Sequence, residues 1–255
     1  MATLAWSGSD GFDLRSIDFS NLPNGYSHTR SSSLFVVKYN ASGNTRDEFR
    51  GTGFTYDAQG IPTGGMVKSY AAILDGDRVG YASGVNIGVT SLVAAASTTS
   101  QSDDLRVLRS ALSGNDRITG GNGNDRLEGF AGNDILRGRG GADKLFGGTG
   151  ADTFTFKSVR ESTTTSSGRD TIYDFSVSQK DKIDLSTIDA RTNASGNQAF
   201  SFIGTGAFSG KAGELRYEKA PSDTYISGDV NGDKVADFTI RLDDRLTLSS
   251  NYFVL

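Results

Sequence analysis

Residues 114–156 read GNDRITGGNGNDRLEGFAGNDILRGRGGADKLFGGTGADTFTF. Five aspartates fall nine residues apart: Asp116, Asp125, Asp134, Asp143 and Asp152. Two residues before each stands a glycine (Gly114, Gly123, Gly132, Gly141, Gly150), and two after each an apolar side chain (Ile118, Leu127, Leu136, Leu145, Phe154). The repeats open on Gly120-Gly121, Gly129, Gly138 and Gly147-Gly148, with Phe130 and Arg139 at the second position of the third and fourth. The first repeat is degenerate, opening on Ala111-Leu112-Ser113. This is the nonapeptide G-G-x-G-x-D-x-U-x, with U apolar, of a parallel β-helical coil.

The spacing has a physical meaning. Glycine lets the backbone turn sharply through positive φ and leaves carbonyls pointing inward. Aspartate adds a hard anionic oxygen, and calcium takes about 6–8 such oxygens. The x-U-x triplet is a short strand with one side chain in the core. Two nonapeptides make one coil, so residues eighteen apart stack about 4.8 Å from each other. Stacked aspartates repel by roughly 1 kcal/mol per pair in bulk water and about 3 kcal/mol at an effective dielectric near 20. Ordering glycine-rich turns also costs chain entropy. The stretch is therefore expected to be unfolded without metal and to fold when calcium fills its turns.

On the N-terminal side, residues 1–99 read as a small β-rich domain, a meander of hairpins. Its strands are Ser32–Asn40, Glu48–Tyr56 (bent at two glycines), Met66–Ile73, Arg78–Ile87 and Thr90–Ala96, the last with a helix as the alternative. STTSQS (97–102) is a linker, and Ser102–Leu112 a helix capped by Ser102, with Leu105, Leu108 and Leu112 on one face. On the C-terminal side, residues 157–255 carry further strands at 170–175, 182–185, 200–203, 214–217, 224–227 and 238–242. The fold class is all-β: a calcium-filled parallel β-roll continuing into a C-terminal β-sandwich-like region, preceded by a small β-rich domain and a short linker helix.

Composition narrows the function. The net charge is −4 and no basic stripe is present, which argues against nucleic acid. Twenty-five of the 30 acids are aspartate, which suits loops and metal ligation. There is no cysteine, no cleavable N-terminal signal and no apolar run long enough for a transmembrane segment. The single histidine, His28, excludes an H-E-x-x-H zinc site and reads as a surface loop residue. Asp229, Asn231, Asp233 and Asp237 sit at EF-hand positions, but Lys234 replaces the turn glycine and Ile240 the closing glutamate, so a structural hairpin loop is favoured.

Residues 114–156 resemble the RTX (repeats-in-toxin) calcium-binding module. Residues 150–255 resemble the C-terminal domain of the serralysin metalloproteases, through GADTFTF (150–156), DTIYDF (170–175), DKIDLSTIDA (181–190), NQAFSFIG (197–204), AGELRY (212–217), ISGDVNGD (226–233) and ADFTI (236–240). The resemblance implies Ca2+ held by the repeat aspartates and repeat-glycine carbonyls, with Glu161 and Asp170 as further acidic ligands. It implies export from a bacterium by a type I (ABC transporter) machinery that reads an uncleaved C-terminal signal, here Tyr252-Phe253-Val254-Leu255. The chain then reads as a complete small secreted, extracellular protein without the protease domain. It would be non-enzymatic, with residues 1–99 binding a surface, glycan or protein ligand. Two alternatives stay open: an enzyme built in residues 1–99 on carboxylates such as Asp47 and Glu48, and a haem-binding protein of the hemophore type.

Overall fold

The alternating pattern of residues 34–88 folds as a meander of long antiparallel strands. The computed structural model describes residues 1–255 and divides into two units. The first comprises Met1–Gly8 and Asp13–Arg117. Its strands are β1 (Thr3–Trp6), β2 (Ser27–Arg30), β3 (Leu34–Lys38), β4 (Arg46–Tyr56), β5 (Pro62–Leu74) and β6 (Asp77–Gly88), in the order β1-β6-β5-β4-β3-β2. Asp75 and Gly76 both take positive φ and close the β5–β6 hairpin, the conformation that matches strand twist in a two-residue turn. The glycine-marked bend of β4 is a real irregularity: its register against β5 shifts at Arg50/Gly51 and again between Thr52 and Thr55. A Cβ on Gly51 would lie 1.9 Å from the Met66 carbonyl, so only glycine fits.

Residues 90–96, read from sequence as a strand, belong to a helix, α1 (Val89–Ala96). Three alanines supply high helix propensity, and Val89, Leu92, Ala95 and Ala96 bury one face. The second helix, α2 (Gln101–Ala111), starts slightly earlier than its sequence signals suggest, with Ser100 and not Ser102 at the N-cap. It buries Val107 and Leu108 and packs on α1 and β6. His28 also departs from expectation: it lies on β2, half-buried, with its ring stacked 5.5 Å from that of Phe35.

The second unit comprises Ser9–Phe12 and Ile118–Leu255. The repeats supply three-residue strands centred on their apolar residues: β7 (Arg117–Thr119), β8 (Arg126–Glu128), β9 (Ile135–Arg137), β10 (Lys144–Phe146) and β11 (Thr153–Thr155). Then follow β12 (Thr171–Ile172), β13 (Lys182–Asp184), β14 (Ser201–Phe202), β15 (Glu214–Lys219), β16 (Thr224–Asp229), β17 (Phe238–Leu242) and β18 (Phe253–Val254). Successive repeat strands alternate between two sheets, β18-β13-β11-β9-β7 and β14-β15-β16-β17-β12-β10-β8. The parallel pairs Leu127↔Leu145 and Leu136↔Phe154 are the eighteen-residue coil read from the spacing. Ile118, Leu127, Leu136, Leu145 and Phe154 are each 0% exposed, so all five apolar positions form the roll's spine.

Beyond the repeats the coil lengthens but keeps its register. Leu145 stacks on Ile172 and Phe154 on Ile183, and these on Leu242 and Phe253. Strands β15, β16 and β17 are antiparallel, which turns one wall of the roll into a broad mixed sheet. The C-terminal strand β18 lies in parallel on β13 and is held by the Leu185 N–H donating to the Val254 carbonyl at 2.9 Å.

Candidate metal centre

Two glycine positions of the nonapeptide do different jobs. At the fourth position Gly132, Gly141 and Gly150 have φ of 120°, 115° and 133°, which L side chains rarely adopt. At the first position the need is space. A Cβ on Gly120, Gly129, Gly138 or Gly147 would stand 2.1, 2.3, 1.9 or 2.3 Å from Oδ2 of Asp125, Asp134, Asp143 or Asp152 respectively. The second position is left-handed too, with Phe130 at 67° and Arg139 at 77°, so these two non-glycine residues carry backbone strain.

The aspartates form ladders along the roll. Oδ1 of each accepts a backbone N–H from the rung before it. The Phe12 N–H donates to Asp125 (2.6 Å), that of Asp125 to Asp143 (2.8 Å) and that of Asp143 to Asp170 (2.9 Å). On the other edge the Asp134 N–H donates to Asp152 (2.8 Å), and that of Asp152 to Asp181 (2.9 Å). Asp116, the acid of the degenerate repeat, accepts from the Ala2 N–H in the first unit, and a Cβ on Gly114 would meet nothing within 4 Å.

Using Oδ1 in the ladder aims Oδ2 at the glycine corner. In Asp143 and Asp152 this second oxygen is buried with no hydrogen-bond partner, and Oδ2 of Asp170, at no glycine corner, is likewise buried and unpartnered. Burial pushes the Asp143 carboxyl up to about 7 and the Asp152 carboxyl up to about 6; Asp170 is also raised, by burial first and by Asp143 next. Buried anionic oxygens without a donor are unstable unless a cation neutralises them.

The donor set fits calcium. No three carboxylates, histidines or cysteines cluster as a side-chain metal cage. Instead carboxylate and carbonyl oxygens meet: the space beside Gly120 is bounded by Asp125 Oδ2 and the Gly138 carbonyl, and that beside Gly129 by Asp134 Oδ2 and the Gly147 carbonyl. A Cβ at the fourth-position glycines would likewise strike carbonyls, Gly123 O from Gly141 (2.3 Å) and Gly132 O from Gly150 (2.0 Å). An all-oxygen set of backbone carbonyls and single carboxylates is what a hard cation of flexible geometry accepts. The Gly121 carbonyl accepts from the Gly140 N–H at 3.3 Å and keeps a second lone pair.

Two acidic positions differ from the rest. Asp170 continues a ladder, although it stands 27 residues after Asp143. Glu161 is ion-paired with Arg137 and also accepts the Lys157 N–H at 3.0 Å. Residues absent from the sequence reading also take part. Asp181 closes the second ladder, Asp174 accepts from the N–H groups of Gly147 and Gly148 (2.9 and 2.8 Å), and Gln179 from that of Gly150 (2.7 Å). Asp181 was detectable: Asp181-Lys182-Ile183 repeats the D-x-U phase without its glycines. Phe12 had no such signal.

In the Asp229–Asp237 loop the oxygens are taken by the protein itself. Asp229 accepts from the N–H groups of Asn231, Gly232 and Lys234 (3.2, 2.6 and 3.0 Å), and Asp237 from that of Val230 (2.7 Å). Lys234 takes the left-handed turn, at φ 72°. These bonds make a self-contained hairpin connection between β16 and β17.

The family described as peptidase M10 serralysin C terminal matches residues 72–254. No curated protein matches. Among solved structures, the AlgE6R3 subunit of the Azotobacter vinelandii mannuronan C5-epimerase is 33% identical, with 55% of this chain and 73% of that one covered and a TM-score of 0.40. The AlgE6R2 subunit of the same enzyme is 28% identical, covering 56% and 88%, with a TM-score of 0.39.

Proposed function

Since the chain belongs to the serralysin C-terminal family, with RTX-type repeats, we propose that it is a secreted calcium-binding protein whose roll folds on metal and presents the first unit as a non-enzymatic binding module. One observation carries this reading: the partnerless Oδ2 atoms of Asp143 and Asp152, each aimed at a corner where only glycine leaves room. Calcium would be held by the repeat aspartates and glycine carbonyls, and would supply the positive charge that these buried oxygens lack. A ligand that binds only the folded state adds about 4 kcal/mol of stability at a thousand times its Kd. Low calcium inside a cell would leave the repeats open and exportable, and millimolar calcium outside would wind them.

The terminal strand supports a type I route. Phe253 is buried and paired along β13 in the folded chain, so a signal that uses its side chain is accessible to an export machinery only before the roll closes. No helix is long and apolar enough to cross a membrane. The test is far-UV circular dichroism of the whole chain with calcium and with a chelator. Loss of β signal on chelation, restored by calcium and not by magnesium, is expected; an unchanged spectrum refutes the reading.

A further inference from the structure

The first unit contains a cavity of about 1010 Å³ between the sheet and α1. That is the size of a small-molecule site, and far more than the water-sized voids of a packed core. Its walls are Phe49, Phe54 and Val67 from the sheet and Val89, Leu92 and Ala96 from α1, all buried apolar residues of the unit's core. These side chains form the floor of a cavity that is open to solvent on one side, so an apolar occupant would extend the unit's core and displace water from it.

The rim supplies the polarity. Arg30 is the one charged residue lining the cavity, and no aspartate or glutamate lines it. Several arginines pair with acids, Arg46 and Arg50 with Glu48, Arg126 with Glu128, Arg137 with Glu161 and Arg241 with Asp223, while others, such as Arg78 and Arg169, lie over aromatic rings. Arg30 has no such partner. Its guanidinium lies against Gly60, where a Cβ would come within 2.4 Å of Cζ. The acid of the same turn, Asp57, makes no ion pair with Arg30; its Oδ1 accepts the N–H groups of Gln59 and Ile61 (3.0 and 2.8 Å). His28, also lining the cavity, stacks on Phe35 and lies 3.3 Å from the Leu22 carbonyl, bracing the rim.

We propose that the first unit binds a free long-chain carboxylate, a fatty acid, with its alkyl chain in the hollow and its headgroup on Arg30. A half-open cavity with an apolar floor and one cation on its rim, in a chain of net charge −4, suits a ligand with one anionic end and one long apolar body. The proposal rests on the reading of this unit as a binding module and is independent of the metal: calcium-dependent folding of the roll would stand if it failed.

The test is calorimetric titration of the calcium-loaded full chain with octanoate, decanoate and dodecanoate, at micromolar concentrations below micelle and calcium-soap formation. Each two-carbon extension should tighten binding roughly tenfold, from about 0.8 kcal/mol per buried methylene. Dodecanol should bind at least about tenfold more weakly than dodecanoate, because it lacks the charge-assisted bond to Arg30. Arg30→Gln, at an exposed site that leaves the core intact, should erase the difference between acid and alcohol. Ala96→Phe should fill the hollow and weaken both. Absence of binding, equal binding of acid and alcohol by the native chain, no effect of Arg30→Gln, or preference for anionic phospholipid vesicles over the free acid would each overturn the assignment.

Discussion

Replacing Gly138 with alanine tests the metal corner directly. The new Cβ would stand 1.9 Å from Asp143 Oδ2 and 2.6 Å from its Cγ, so the carboxylate must swing away. Doing so breaks the 2.8 Å bond from the Asp125 N–H to Asp143 Oδ1, a charge-assisted bond contributing about 1.5–3 kcal/mol. Overpacking adds about 1–3 kcal/mol. The stiffer unfolded chain offsets roughly 0.4–1 kcal/mol. The net loss is about 2–5 kcal/mol, and under the proposed assignment calcium would lose one oxygen as well. Gly140→Ala is the control two residues away: its Cβ would meet nothing closer than 3.7 Å. Urea unfolding at saturating calcium, followed by circular dichroism, should put Gly138→Ala at least 2 kcal/mol below Gly140→Ala, with a calcium midpoint shifted upward by tenfold or more. If the two variants unfold and titrate alike, Asp143 Oδ2 is not fixed at that corner and the metal assignment fails.

Three further outcomes follow from the same geometry. Asp152→Asn keeps the ladder acceptor but removes the charge aimed at Gly147, so the calcium midpoint should rise tenfold or more while the folded spectrum at high calcium is preserved; an unchanged midpoint would contradict the donor set. Lys180 holds a φ of 71°, and Lys180→Gly should stabilise the second unit by about 0.5–1 kcal/mol in calcium-saturated melts, whereas destabilisation would show that its side chain outweighs the strain. In the first unit Asp47 is half-buried and accepts from Tyr39 and Tyr70, each donating at 2.6 Å, and desolvation raises its carboxyl above the usual value. A raised folded-state value means stability present below the unfolded value near 3.8 and lost as pH rises through the folded one. Trp6, the single tryptophan, lies in this unit. Its fluorescence in urea melts at saturating calcium should show the native chain losing stability relative to Asp47→Asn between acid and neutral pH; parallel curves would exclude Asp47 as the source.

Much of the second unit could be read from sequence because its contacts recur at a fixed separation. An aspartate every nine residues, with glycine before and an apolar residue after, dictates short strands alternating between two walls, and the five apolar positions became the buried spine. Alternation and turn glycines likewise located the strands of the first meander, while an alanine run between strand and helix was settled by which face it could bury against its own sheet. What only the tertiary structure decided is where a side chain finds partners far along the chain. The ladder step to Asp181 spans 29 residues, which the nine-residue period does not contain, and that to Asp170 spans three periods where a regular coil takes two. Asp229 is satisfied within its own loop, and Arg30 borders a hollow with no acid on its walls. Local repetition fixes backbone geometry, because each rung is set by its own nine residues. The balance of charge and empty space in a folded interior depends on residues brought together from distant parts of the chain, and a linear pattern does not carry it.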